Sequence, residues 1–427
     1  MTSKARLTMQ KQARRLVTSV LDVLQPIVRQ RTEALVPQLA KVLDAFAAEN
    51  IGTQHFASLT GYGHEDQGRV AIDRVFARVL GAEQAAVRLQ FVSGTHAVTA
   101  AMFGVLRPGD RLLSVTGKPY DTLEEVIGLR GSGQGSLIDF GICYDEIPLT
   151  AQGTIDGSAI DDALDRPCHM ALIQRSCGYD WRPGLTIAAI ADVCERVHQR
   201  QPNCVCLVDN CYGELVEYQE PPEVGADLVA GSLIKNLGGT IAPTGGYVAG
   251  RSDLVNQACC RLTAPGIGSE GGIGFDLHRL VLQGLFLAPQ MVTEALIAAD
   301  LIATVFQRLG HPVQPNPGAK RGHLIQAVQL GSLEAVKIVC RTFQASSPIG
   351  AYLEPVPSAM PGYATELVMA GGTFVDGSTS EFSADAPLYP PYNLYIQGAT
   401  HHAHVCIALE RALTALAEAK LVNLPAN

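Results

Sequence analysis

The sequence has 427 residues, 47% of them hydrophobic and 17% charged, with a formal net charge of −9. Such a chain is long and apolar enough for two or three domains with large buried cores. Its acidic balance and lack of any Lys/Arg block argue against nucleic acid or an anionic membrane as main partner. No run approaches about 18 consecutive apolar residues, so no membrane span is expected. The early basic residues Lys4, Arg6, Lys11, Arg14 and Arg15 precede no long apolar run, so a secretory signal is not supported. Eleven cysteines, an odd number without CxxC spacing, read as reduced thiols of a cytoplasmic protein rather than a disulfide framework.

Residues 1–50 read as helix. Leu21, Val23, Leu24, Ile27 and Val28 form an apolar face that Leu39, Val42, Leu43 and Phe46 continue beyond Pro37. A polar, Gly-rich stretch follows to about residue 70 and ends in GYGHEDQGR. From about 85 to 250, strand and helix patterns alternate. AAVRLQFV, RLLSV, HMALIQ, CVCLV, ADLVAGS and GGYVAG have strand character, and THAVTAAMFGVL, DTLEEVIGLR and TIAAIADVCERVHQR have helix character. That alternation predicts an α/β domain with a mainly parallel sheet, whose ligands sit beyond the carboxyl ends of the strands. Residues 276–310 read as helix. The remainder mixes short strands, Pro-rich turns and a last helix, VCIALERALTALAEAK. The expected division is an N-terminal helical segment over 1–60, a large domain over 61–300 and a smaller α+β domain over 301–427.

Four features follow strand ends in order. Ser93, Gly94 and Thr95 stand between a strand and a helix, where hydroxyls and free backbone N–H groups can hold a phosphate; equally, a Ser there can simply cap the helix. Tyr120 opens the helix after RLLSV and could stack on a planar group, or pack on the sheet edge. Asp209 ends the run CVCLVD. It is a cap, or a charge partner for something bound. Lys235 lies in the apolar, small-residue segment GADLVAGSLIKNLGG, with Ser232 before it and Gly238 and Gly239 after it. Lysine is rarely buried without reason, and a desolvated amine is a good Schiff-base nucleophile. Phosphate turn, aromatic ring, carboxylate and amine, in that order, fit pyridoxal 5'-phosphate (PLP). Lys235 would carry the cofactor, Asp209 would pair with its pyridine nitrogen and Ser232 would add a hydroxyl to its phosphate.

The stretches GYGHEDQGR, SGTHA, GKPYDTLEEVIG, QRSCGYDWRPGLTI, VDNCYGEL, GSLIKNLGGTIAPTGGYVAG, TAPGIGSEGG and PPYNLYIQGATHHAH span about residues 55–405. In them the chain resembles the fold-type I PLP enzymes and, more closely, the cystathionine β-lyase/methionine γ-lyase-like aluminium-resistance family. The resemblance implies a large domain with a mainly parallel seven-stranded sheet. It implies that Lys235 is the Schiff-base lysine and proton carrier, that Asp209 faces the pyridine nitrogen, and that Tyr120 stacks on the ring. Ser93, Gly94, Thr95 and Ser232 would hold the phosphate. It also implies a homotetramer with shared sites, Tyr62 (a catalytic candidate) and Arg69 reaching a neighbour's cofactor. Arg175, Ser176, Tyr179 and Arg182 would line the strand end toward cofactor or substrate, although Arg182 could instead fix its turn.

The chain departs from the family pattern near the expected substrate region. Tyr389 stands in LYPPY where the family commonly has an Arg that could grip a substrate carboxylate. QGATHHAH replaces QGGLTYEH, and His64 replaces an aromatic residue. The expected activity is therefore a PLP-dependent lyase acting on an amino acid with a β- or γ-leaving group, sulfur by resemblance. It would act by elimination or γ-substitution. A PLP aminotransferase is the alternative enzyme. A metal-binding resistance protein, using His401, His402 and His404, is the alternative of a different class. No metal is expected at the site.

Overall fold

The computed structural model describes residues 3–425, so the ends of the outermost expected segments, residues 1, 2, 426 and 427, lie outside it. In chain order the elements are α1 (Ser3–Ala48), α2 (Gln67–Leu80), β1 (Gln84–Arg88), α3 (Gly94–Val105), β2 (Arg111–Ser114), α4 (Asp121–Ile127), β3 (Cys143–Glu146), α5 (Gly157–Ala163), β4 (Met170–Gln174), α6 (Ile187–Arg200), β5 (Val205–Asp209), β6 (Leu228–Ser232), β7 (Gly246–Gly250) and α7 (Ser252–Leu262). They continue with α8 (His278–Arg308), β8 (Val313–Gln314), β9 (Gln326–Gln329), α9 (Leu333–Gln344), β10 (Leu367–Gly371), β11 (Ser383–Pro387), β12 (Asn393–Gln397) and α10 (His402–Glu418).

The chain forms two compact units. One comprises residues 37–289 with 321–323, and the other residues 1–36, 290–320 and 324–427. The first unit holds a seven-stranded sheet in the order β1-β7-β6-β5-β4-β2-β3. The pairs β2–β3, β2–β4, β4–β5 and β5–β6 are parallel; β7 runs antiparallel to β1 and β6. This is the expected fold-type I sheet. Strands β4, β5 and β6 are buried at all five positions, which is why they appear in the sequence as unbroken apolar runs. Phe91, Val98, Met102, Leu112, Leu172, Leu207, Val248 and Val255 pack one face of the sheet into a core.

The second unit carries an antiparallel five-stranded sheet, β10-β11-β12-β9-β8, with α9 against β10 and β11. Here the structure corrects the expected domain boundaries. Residues 1–60 do not stand apart. Ala13, Leu16, Val17, Val20 and Leu24 of α1 pack with Ala298, Leu301, Ile302 and Phe306 of α8, and with Val336, Leu394 and Leu413. The hydrophobic stripe of α1 decides its membership, and α1 and α8 each supply residues to both units.

Strand β3 and helices α2, α5, α7 and α9 escaped the sequence. Strand β3 is the partly exposed edge segment CYDE, which has no apolar run to betray it. Helix α2 begins inside a stretch that reads as loop; Asp66 caps it by accepting from the Arg69 N–H. Helix α8 is long and apolar enough to cross a membrane by length and composition, the one such helix among the described residues. Most of its apolar window is buried within the protein, as a core helix requires.

Candidate active site

The carboxyl ends of β4, β5 and β6 adjoin in the sheet, and the side chains singled out in the sequence leave from them. After Ser232 the chain turns, and Lys235 opens a short 3-10 turn, Asn236–Gly238. The turn is tight: a Cβ on Gly238 would stand 1.7 Å from the Leu233 carbonyl oxygen, so only glycine fits. Lys235 Nζ donates to Tyr212 Oη at 3.0 Å and lies 4.1 Å from that ring's centroid.

Asp209 is buried at the end of β5, and its Oδ1 accepts from the Cys211 N–H at 3.1 Å. Burial pushes its carboxyl above the usual carboxylate range, against the Cys211 hydrogen bond and the Lys235 charge, which favour ionisation. A cationic ring nitrogen at this point would offset that burial.

At the start of α3, Ser93 Oγ accepts from the His96 N–H, so this serine does cap its helix. Gly94 lets the helix start press against β6. A Cβ there would stand 3.1 Å from Ser232 Cβ and 3.1 Å from Cys211 Sγ. Ser232 Oγ is buried and has no hydrogen-bond partner among the described residues. Such an orphan hydroxyl beside a helix N-terminus suits an anionic group. Thr95 Oγ1 lies 3.1 Å from Tyr120 Oη and 3.2 Å from Thr122 Oγ1. The Tyr120 N–H donates to Gln174 Oε1 at 2.9 Å, fixing the tyrosine at the head of α4. Burial, reinforced by Asp209, raises the Tyr120 phenol well above its ordinary value, so it stays neutral.

A family model for methionine gamma-lyase matches residues 13–417. The chain belongs to the methionine γ-lyase family. The YnbB protein of Bacillus subtilis (strain 168) is 44% identical over 383 residues, covering 90% of this chain and 91% of YnbB. The crystal structure of a carbon-sulfur lyase involved in aluminum resistance from Clostridium novyi NT is 40% identical, with a TM-score of 0.90 over 97% of this chain and 99% of that one. The pyridoxal-5'-phosphate dependent protein YhfS of Escherichia coli, 18% identical with a TM-score of 0.60 over 90% of this chain and 96% of its own, shares the fold. The methionine γ-lyase family is one of PLP-dependent carbon–sulfur lyases, and PLP is its cofactor.

The residues present fit that cofactor. The orphan Ser232 hydroxyl, the Gly94 cradle, the buried Asp209 and the Lys235 amine belong to one face of one unit.

Other expected residues are placed differently. Arg175 is fully buried; its Nη1 donates to Asn210 Oδ1 at 2.7 Å, its Nε donates to the Leu185 carbonyl, and Glu217 and Glu220 lie at 3.6 and 3.7 Å. Arg182 donates to the carbonyls of Gln174, Ser176 and Pro183. These bonds fasten the strand-end turns, while Arg175 Nη2 and Arg182 Nε are buried without a hydrogen-bond partner among the described residues. Arg69 is likewise buried and donates to the carbonyls of Gly63, Glu270 and Gly272, while its Nε has no hydrogen-bond partner among the described residues. Tyr62, by contrast, is 82% exposed. Tyr179 is half-buried in the turn after β4, and Tyr389 lies between β11 and β12, in the other unit.

Of the three C-terminal histidines, His401 and His402 gather with Glu294, their candidate metal-ligand atoms within 4.8 Å of one another, and His404 is not part of that group. His402 Nδ1 pairs with Glu294 at 2.9 Å, and His401 stacks on His402. His404 Nε2 instead bonds the Ser346 carbonyl.

Sequence reasoning missed Tyr212, Gln174, Thr122 and Glu214. Two had a legible signal: Gln174 is the last residue of HMALIQ, and Tyr212 follows Asp209 by three. Glu214 had none. It is fully buried, accepts from the Tyr247 phenol at 2.9 Å and is pushed up to about 8 by burial.

Proposed function

We propose that this protein is a PLP-dependent lyase that removes a sulfur-containing group from Cβ or Cγ of an amino acid, leaving ammonia and a 2-oxo acid. One observation carries the reading: an amine held at a strand end, 3.0 Å from a phenol, on the same sheet edge as a buried carboxylate and an orphan hydroxyl. Bound PLP supplies an electron sink for bonds broken at the substrate Cα. The protein does the rest. Asp209 would hold the ring nitrogen protonated. Ser93, Gly94, Thr95 and Ser232 would hold the phosphate, and Tyr120 would stack on the ring. With the cofactor bound, Lys235 would serve as the base for the substrate α-proton. The same amine can return a proton to carbon or to the leaving group. Replacement at Cγ uses the same first steps.

Tyr62, solvent-exposed in the single chain, is proposed to complete a neighbour's site within a homotetramer. Arg175, Tyr179, Arg182 and Tyr389 remain the substrate-side candidates. Eleven free thiols suit a reducing cytoplasm. The test is a panel of β- and γ-substituted amino acids, with thiol, ammonia and 2-oxo acid measured together. Stoichiometric release of all three from a sulfur substrate supports the reading. Amine transfer to an added 2-oxo acid, without ammonia, would make the protein an aminotransferase instead. Lys235→Ala should abolish both the visible cofactor band and turnover.

A further inference from the structure

We propose that His198, Cys206 and Asp227 form a site for one thiophilic divalent metal ion, with zinc as the type, and that the Cys194 thiol is within reach as a fourth donor. The site lies toward the amino ends of β5 and β6, away from the strand ends that carry Asp209 and Ser232. It stands or falls independently of the reading of Lys235.

Three elements bring the donors together. Cys194 and His198 stand at i and i+4 on α6, so their side chains share one face of that helix. Cys206 is the second residue of β5, and Asp227 immediately precedes β6, which pairs with β5. Asp227 Oδ2 accepts from the Cys206 N–H at 2.8 Å and lies 2.9 Å from His198 Nε2. The ligand atoms of His198, Cys206 and Asp227 all lie within 4.8 Å of one another. Donors on a tetrahedral zinc stand about 3.3–3.8 Å apart, given bonds of about 2.0–2.3 Å, so small side-chain rotations close the site. Cys206 is fully buried, while His198 is partly exposed and gives an ion its way in from solvent.

The chemistry of the set selects the ion. Thiolate, imidazole and carboxylate together suit zinc and its borderline-to-soft neighbours, whereas magnesium and calcium take oxygen donors. One thiolate and one carboxylate balance a charge of 2+. In the metal-free protein the Cys206 thiol resists ionisation. A hydrogen bond with the Cys194 thiol, then burial, then the neighbouring Cys194, Cys204 and Asp227 push it well above its ordinary value. A dication reverses the electrostatic part of that balance, because the neighbours that repel a lone thiolate help to neutralise the ion. Coordination forms a metal–sulfur bond and sends the thiol proton to solvent. Asp227 is already oriented for this. The Cys206 N–H holds its Oδ2, and Arg251 Nη1 donates to its Oδ1 at 3.3 Å. The Arg251 charge opposes a cation, but that side chain is exposed and shared with Asp253 at 2.9 Å. A bound ion would tie the last turn of α6 to the starts of β5 and β6.

The experiment is equilibrium dialysis of the PLP-loaded holoprotein against buffered free zinc under a non-thiol reductant, with bound metal counted by atomic emission. The expected result is one zinc per chain, half-saturated below about 1 μM. His198→Gln and Cys206→Ser each delete a donor and should raise that concentration at least ~10-fold, since even the loss of an outer partner costs this much. His198→Gln changes a partly exposed helix position, so it tests the site even where Cys206→Ser, in the core, fails to fold; melting temperatures without metal identify such a failure. His402→Gln alters the separate group of Glu294, His401 and His402 and should leave the tight zinc in place. No zinc held at about 10 μM, ten times the expected limit, would overturn the inference. So would a tight zinc that survives unchanged in His198→Gln, or one that His402→Gln removes.

Discussion

Replacing Glu214 with Gln should remove part of the loss of stability that the site-bearing unit suffers as pH rises through neutrality. The Glu214 carboxyl is fully buried, and burial pushes it up to about 8 from an ordinary 4.5. Its Oε1 accepts from Tyr247, while its Oε2 has no hydrogen-bond partner among the described residues. A carboxyl whose folded value is raised binds more protons in the native than in the unfolded state between the two values. Stability must therefore fall with pH across that window, from about 4.5 to about 8. Integrating from pH 5.5 to pH 8 gives a loss of about 3 kcal/mol from this one group. Glutamine is the uncharged isostere. Its amide oxygen can accept from Tyr247, and its amide nitrogen takes the unpartnered position at a cost of about 1–3 kcal/mol at any pH. The variant should start less stable than wild type at pH 5.5, and the two should converge or cross by pH 8. The protein's single tryptophan, Trp181, lies in the same unit, so urea unfolding followed by its fluorescence at the two pH values reports the difference. Parallel pH dependence in the two proteins would show that Glu214 does not titrate as its burial demands.

His323 should act with the opposite sign. Burial, reinforced by the charges of Arg182, Arg321 and Arg175, lowers it to about 3. The stability it contributes is complete above the ordinary histidine value of 6.5 and is lost as pH falls toward 3, by about 2 kcal/mol between pH 7 and pH 5; His323→Gln should lack this acid-side loss in the same fluorescence assay. Gly94→Ala should press a methyl group against Ser232 and Cys211, costing about 1–3 kcal/mol. It should also weaken PLP binding at least ~10-fold, or about 1.4 kcal/mol, seen as a smaller PLP-induced rise in melting temperature. Gln174→Ala should unfasten Tyr120, which loses its N–H partner, and speed cofactor release on dialysis, with a stability cost of about 1–2 kcal/mol.

The sequence by itself determined the sheet, the cofactor and their order. Strands β4, β5 and β6 are buried on both faces, so their apolar runs could not be mistaken, and a polar residue at the end of such a run stands out. That is how Asp209 and Lys235 became legible before any coordinate. Arg175, Arg182 and Arg69 looked equally conspicuous, but a charge in sequence does not say what it will meet. Only the tertiary structure decided that these three guanidinium groups bond carbonyls and side chains that folding brings beside them, and that each still keeps one buried N–H without a hydrogen-bond partner among the described residues. Strand β3 and Glu214 stayed hidden for related reasons. A polar edge strand is defined by its neighbour, not by its composition, and a carboxyl is neutralised by the packing that surrounds it. Tyr212 belongs to the same class. Its spacing from Asp209 was written in the chain, but its left-handed backbone and its place against Lys235 exist only once β5 and β6 lie side by side.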